Sequence, residues 1–299
     1  MSRDLNLKFT PASVGDTYYK MNECMGCFKK PSGKKSFPVC SKCQEASFCS
    51  KECQKKAWPV HKTVCQMRKQ TVAAMADAPS SHTFPPFAIR KRLLTDFIEV
   101  HECSFQSAFS SAMILEGGID KFPFSVRGVV VLLKYRPDCN ENPSVAFSVE
   151  GCAMLSNVQL EALFGKGIRA KGPLEDMLEK TLREHDAARN YRGQLRVFFK
   201  MEDHVVQEVY PQMHQPGAAG VIYRQHLATI DHSKWVSRVQ QFVRDGLVMR
   251  ANGENEMMMQ LGKLTMEMKM KKGKWVWVPL TKAELAQHGY PPDFSGLLF

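Results

Sequence analysis

Seven cysteines and one histidine stand at C-x2-C-x12-C-x2-C-x5-C-x3-C-x7-H-x3-C between Cys24 and Cys65. In order they are Cys24, Cys27, Cys40, Cys43, Cys49, Cys53, His61 and Cys65. A short turn or one turn of helix brings each close pair to a common point, so each pair can hold a metal ion from two sides. Zinc asks for four such donors in a tetrahedron, and eight donors make two closed sites with no position left for water. Such sites hold structure and perform no chemistry. Spacing alone leaves the wiring open, since the pairs could combine in sequence or alternately.

The stretch from Phe48 to Cys65 adds particular neighbours to these ligands: Phe48-Cys49-Ser50, Cys53-Gln54, Trp58, and His61-Lys62 ahead of the last cysteine. With the two earlier Cys-x2-Cys pairs, residues 24–65 resemble a MYND zinc finger. The resemblance implies interleaved wiring (a cross-brace): Cys24, Cys27, Cys49 and Cys53 on one zinc ion, Cys40, Cys43, His61 and Cys65 on the other. It also implies that the finger captures short proline-containing peptides of other proteins, with Ser41, Gln54 and Trp58 meeting the peptide. An indole offers a broad apolar face, and a glutamine amide can pair with a peptide backbone. The alternative for Trp58 is inward packing against Phe48, which would prop up the last helix.

The remaining cysteines, Cys103, Cys139 and Cys152, are scattered and odd in number, which points to a reducing, intracellular compartment, cytoplasm or nucleus. No apolar run is long enough to span a membrane, and the polar start Met1-Ser2-Arg3-Asp4 is unlike a signal peptide. The formal net charge of +11 is concentrated at the amino-terminal end. Residues 1–72 hold 14 Lys/Arg against 5 Asp/Glu, and the rest holds 27 against 25. Seven thiolates and two zinc ions reduce the finger's excess to about +6. That surplus favours acidic partners or weak, salt-sensitive nucleic-acid contact, but no stripe of alternating aromatic and basic residues supports base reading.

These ligands need elements to position them. A tail over 1–20, a finger over 21–70 with its last helix ending near Gln70, a linker over 71–86 and an α+β domain over 87–299 account for the chain. Ile89, Leu93, Leu94, Phe97, Ile98, His101, Phe105, Ala108, Phe109, Ala112 and Met113 recur at three and four residue steps, predicting one long amphipathic helix ended by Gly117-Gly118. A helix of this kind behind a finger is loosely similar to that of fungal MYND-finger proteins. His101 lies in its apolar face, as a helix-packing imidazole rather than a third metal site.

Strands are expected over 125–135 and 145–155, joined by a turn-rich loop, and over 194–201 and 205–210. A helix is expected from Leu174 to His185 and another from Asp231, with Trp235, Val236, Val239, Phe242 and Val243 on one side. Met257, Met258, Met259, Met266, Met268 and Met270 could suggest copper(I) ligation. The alternation of the last three with Glu267, Lys269 and Lys271 instead predicts a half-buried strand returning through Trp275–Val278.

An enzyme is not expected. SET-domain methyltransferases that carry a MYND finger need a SET segment ahead of it, whereas 23 residues precede Cys24. Neither an Asn-His-Ser-Cys-like stretch nor a late tyrosine motif is found, nor a glycine-rich phosphate loop, G-x-S-x-G or H-E-x-x-H. Asp203-His204, Glu184-His185-Asp186 and Asp231-His232 are sequence neighbours whose side chains point apart, and read as surface groups. The expected role is an adaptor. The alternatives are a weak nucleic-acid-associated regulator and an unrecognised enzyme within 87–299.

Overall fold

In the computed structural model the described residues are 24–27, 29, 37–42, 46–76, 87–164, 191–201, 205–213, 228–252, 255–269, 272–291 and 296–297. They form a finger followed by mixed helices and sheets, the expected α+β class. Helix α1 (Lys51–Ala76) carries the last ligands and runs past Gln70. The expected linker is thus helical through its first six residues, because alanine and methionine at 73–76 are strong helix formers despite their small or flexible look.

The long apolar helix is two helices, α2 (Phe87–Val100) and α3 (Glu102–Leu115), divided at His101. His101 departs from helical dihedrals with φ −96° and ψ 11°. Backbone bonds nevertheless cross the break, from His101 N–H to the Phe97 carbonyl and from Phe105 N–H to the His101 carbonyl. The apolar face stays continuous for that reason, and periodicity could not reveal the bend.

Strands β1 (Arg127–Tyr135), β2 (Phe147–Ser156), β3 (Tyr191–Lys200) and β4 (Val205–Met213) make a sheet in the order β2-β1-β3-β4. The β1–β3 pair is parallel and the other two are antiparallel. Alternation sends Val129, Val131, Leu195, Val197 and Phe199 toward α2, α3 and α5 (Trp235–Arg244), and this face is the main core. Val130 and Phe198 face the other way, onto Leu160 of α4 (Asn157–Phe164). The loop from β1 to β2 holds 3-10 turns at Pro137–Cys139 and Pro143–Val145, with Asn140 and Glu141 both at positive φ.

A second sheet holds β5 (Leu247–Asn252), β6 (Asn255–Lys269) and β7 (Lys272–Pro279), with α6 (Lys282–Gln287) following and β8 (Gly296–Leu297) pairing with β6. The expected tail hairpin is the antiparallel β6–β7 pair. Met259 is buried with Leu261, and Met266 packs on the opposite face beside Leu264, Trp275 and Trp277. Gly262 is required there. A Cβ at that position would lie 2.3 Å from the Trp277 ring, whose indole N–H donates to the Val248 carbonyl at 3.1 Å. The helix expected over Leu174–His185, and Met270, lie outside the described residues.

Candidate metal centre and peptide-facing surface

Two short backbone ties shape the finger's first loops. Val39 and Ser47 form an isolated antiparallel bridge, and the Cys40 N–H donates to the Ala46 carbonyl at 2.7 Å. The Met25 N–H reaches the Ser47 carbonyl at 2.9 Å, drawing Cys24 and Cys27 toward the start of α1. Gly26 between those two cysteines lies against α1 so closely that a Cβ would sit 2.5 Å from the Cys53 carbonyl oxygen. Ser50 then accepts from the Cys53 N–H at 3.2 Å and helps the helix begin.

The donors gather in two groups. The ligand atoms of Cys24, Cys27, Cys49 and Cys53 all lie within 4.8 Å of one another, as do those of Cys40, His61 and Cys65. This is the alternate arrangement, each group joining an early loop to α1. Cys43 lies outside the described residues, so its place as the fourth donor of the second group stays what the resemblance implies.

The separations fit a metal better than a disulfide. Cys27 and Cys49 sulfurs are 3.5 Å apart, Cys49 and Cys53 3.4 Å, and Cys40 and Cys65 3.8 Å. A tetrahedron with zinc–sulfur bonds of ~2.3 Å has edges of about 3.8 Å, whereas a disulfide needs ~2.05 Å. The thiols also resist shared ionisation. At Cys24 burial opposes the thiolate, but backbone hydrogen bonds from Cys49 and Gly26 outweigh it and lower the thiol to about 6. Cys49 is pushed up to about 12, first by its hydrogen bond with Cys53 and then by those with Cys24 and Cys27. A cation at the centre favours thiolates around it, so the donor set fits zinc.

The two groups differ in exposure. Cys40, His61 and Cys65 are buried, while Cys27, Cys49 and Cys53 are half-buried beside buried Cys24. The finger's core is those ligands with Ala46, Phe48 and Ala57.

The predicted peptide contacts sit beside this core. Trp58 is half-buried: it packs on the miniature core, meets the His61 ring edge-on at 5.8 Å, and carries the Lys42 ammonium 5.7 Å above its ring. Phe48 is the fully interior aromatic, edge-on to His61 at 5.6 Å. The two readings of Trp58 are therefore not exclusive, since one side of the ring packs and another stays accessible. Gln54 is half-buried one helical turn before Trp58, and Ser41 is exposed beside Lys42. Pro59 lies inside α1 and has no N–H to give to the Lys55 carbonyl. The sequence reading missed the roles of Lys42 and Gly26. A glycine between two ligands is a signal that could have been used, but the cation over Trp58 depends on loop geometry and left none.

The remaining candidates fall elsewhere. His101 is fully buried, its Nε2 2.8 Å from the Ser144 carbonyl, and among the described residues it joins no metal-type cluster. Asp231 caps the turn His232–Lys234 by accepting from the Ser233 N–H, a structural task. Glu184-His185-Asp186 and Asp203-His204 lie outside the described residues. No helix among the described residues is long and apolar enough to cross a membrane.

Comparison with known proteins agrees with this geometry. The MYND finger family model matches residues 24–65. N-lysine methyltransferase SMYD2-B of Danio rerio is 46% identical over 43 residues, 14% of this chain and 9% of that protein. Histone-lysine N-methyltransferase SMYD3 of Homo sapiens is 38% identical over 63 residues, 21% of this chain and 15% of that protein. N-lysine methyltransferase SMYD2 of Gallus gallus is 41% identical over 44 residues, 15% of this chain and 9% of that protein. The match thus spans well under a fifth of these relatives' own length. No solved structure matches the chain. Residues 24–65 are accordingly a MYND-type zinc finger, a protein-interaction module.

Proposed function

We propose that this protein is an adaptor whose finger, closed by two zinc ions, captures a proline-containing peptide of a partner protein. One observation carries the reading: Trp58 is half-buried, packed edge-on against the ligand His61, and has the Lys42 ammonium above its ring. An indole fixed by a metal centre is a rigid apolar anchor, the type of side chain that dominates small interfaces. Gln54, one turn earlier, supplies an amide for the peptide backbone, and Ser41 a hydroxyl at the rim. The metal ions hold this surface and take part in no reaction.

The methyltransferase activity named for the relatives is not carried over, because the similarity lies in the finger. A reducing cellular compartment suits Cys103, Cys139 and Cys152, which form no disulfide.

The test is affinity capture with the full chain against its Trp58→Ala variant, using a library of proline-containing peptides. The expected result is capture by the intact protein, loss in the variant, and two equivalents of zinc in both. Capture that persists in Trp58→Ala with zinc intact would overturn the assignment.

A further inference from the structure

Among the described residues, the charges nearest Trp58 on its side of α1 are of one sign. At 100° per residue, Lys51, Lys62 and Lys55 lie about 20°, 40° and 60° round α1 from Trp58, all on its solvent side. All three are exposed, as is Lys42 above the ring. None of the four forms an ion pair with another described residue. The one acid in the first turn of α1, Glu52, sits about 100° beyond Lys51. Its carboxyl is held below the usual range by its own backbone N–H and by Ser50, so it is engaged at the helix start.

Two bland explanations do not cover all of these lysines. Helix stability does not call for Lys51, which lies in the first turn of α1, where the peptide dipoles already present positive charge and a cation is disfavoured. Nor do the lysines all neutralise the thiolates. Lys51 and Lys55 are each two residues from Cys53, which places them about 160° from it, on the far side of α1. Lys42 adds a third point. Its ammonium covers the ring face that a ligand must reach, and a carboxylate from that ligand would draw it aside and pair with it.

We infer that the segment docking on Trp58 is acidic: its proline-containing anchor is flanked by glutamate or aspartate that meets Lys42, Lys51, Lys55 and Lys62. The inference rests on the peptide-binding reading above and adds the partner's charge. Attraction of this kind sets on-rate and selectivity and weakens with salt, because the lysines are solvated.

The experiment uses the zinc-loaded full chain and labelled peptides of about twelve residues, sharing one proline-containing centre but flanked by Glu, Gln or Lys. A single-stranded oligonucleotide of similar length serves as a competitor. At low salt the Glu-flanked peptide should bind about tenfold more tightly than the Gln-flanked one, and the Lys-flanked one more weakly still. The gap should close at high salt, and the Lys55→Gln, Lys62→Gln double variant should bring the Glu-flanked peptide toward the Gln-flanked one. Equal, measurable binding of the Glu and Gln peptides would sink the charge inference and leave the peptide reading standing. Absence of binding by every peptide would overturn both. An oligonucleotide that displaces the Glu-flanked peptide at lower concentration than the peptide itself would replace this partner class with a nucleic acid.

Discussion

His61 in the finger and His101 between α2 and α3 are both shielded from water, 1% and 0% exposed. Each also meets two aromatic rings edge-on: His61 faces Phe48 and Trp58, His101 faces Phe97 and Phe105. Their surroundings differ in one respect. His61 shares its pocket with the thiols of Cys40 and Cys65, whereas His101 touches apolar rings and one backbone carbonyl. Burial and aromatic company therefore do not make a ligand, and converging soft donors do. The same contrast separates the two regions. Among the described residues the finger has Ala46, Phe48 and Ala57 buried with its ligands, while the larger region buries rings and aliphatic chains across two sheets.

The first way to break this contrast is to remove the metal. Burying Phe48 contributes ~2–3 kcal/mol, whereas closing structural zinc sites contributes on the order of 10 kcal/mol each. Chelation should unfold residues 24–65 entirely and leave the larger region folded. Hydrogen exchange followed by mass spectrometry should show full exchange in the finger and continued protection in β1 and β3. A finger that stays protected without zinc, or a larger region that melts with it, would remove the distinction.

The second prediction attacks the other side. Phe105 is fully buried, edge-on to Phe97 and Phe199 and stacked on Phe109. Phe105→Ala should cost about 3–5 kcal/mol, a large part of a domain's ~5–15 kcal/mol. Denaturant unfolding of the larger region should shift accordingly, while zinc content stays at that of the parent protein. Loss of zinc along with stability would show that the finger leans on this core.

How much of each region could be read from sequence follows from the same difference. The finger's donors are chemically rare types at fixed steps, so its grouping was legible once the MYND pattern was recognised, and the geometry of 24–27 with 49–53 and 40 with 61–65 agrees with it. In the larger region, local strand-like composition found β1, β2, β3 and β4, and alternation found the β6–β7 hairpin. Neither could give the order β2-β1-β3-β4, because the parallel β1–β3 pairing joins segments far apart in sequence and rests on packing. The break at His101 was hidden for a related reason. The bend leaves the apolar periodicity unchanged, and His101 at the bend is tied to Ser144, 43 residues away. The small residues at 71–76 misled in the opposite direction, since alanine lacks an apolar pattern and still favours helix.

That tie yields the smallest effect and sharpens the comparison of the two histidines. His101 is lowered to about 4, chiefly by burial, with the Ser144 carbonyl pulling slightly the other way. Its Nε2–H donates to that carbonyl, and its Nδ1 is buried without a hydrogen-bond partner, so a second proton would place a charge among Phe97, Phe105 and their neighbours. The unfolded chain takes up the proton near 6.5 and the folded one only near 4. Stability from neutral His101 is therefore complete above about pH 6.5 and declines as pH falls toward 4, by at most ~3 kcal/mol. Asp96 acts in the opposite direction. Burial, then Glu99, raise its carboxyl to about 6 against the pull of Arg92, so its folded form favours the proton as pH falls. The effect of His101 alone must come from a difference. In His101→Asn the amide can still donate to Ser144 but cannot titrate, so any deficit relative to the parent protein should shrink between pH 7 and pH 4. Protection of β1 amides is the suitable reporter, because acid also strips zinc from the finger. A deficit that stays constant over this range would mean that His101 accepts its second proton in the folded state, and that burial among rings does not set the two histidines apart.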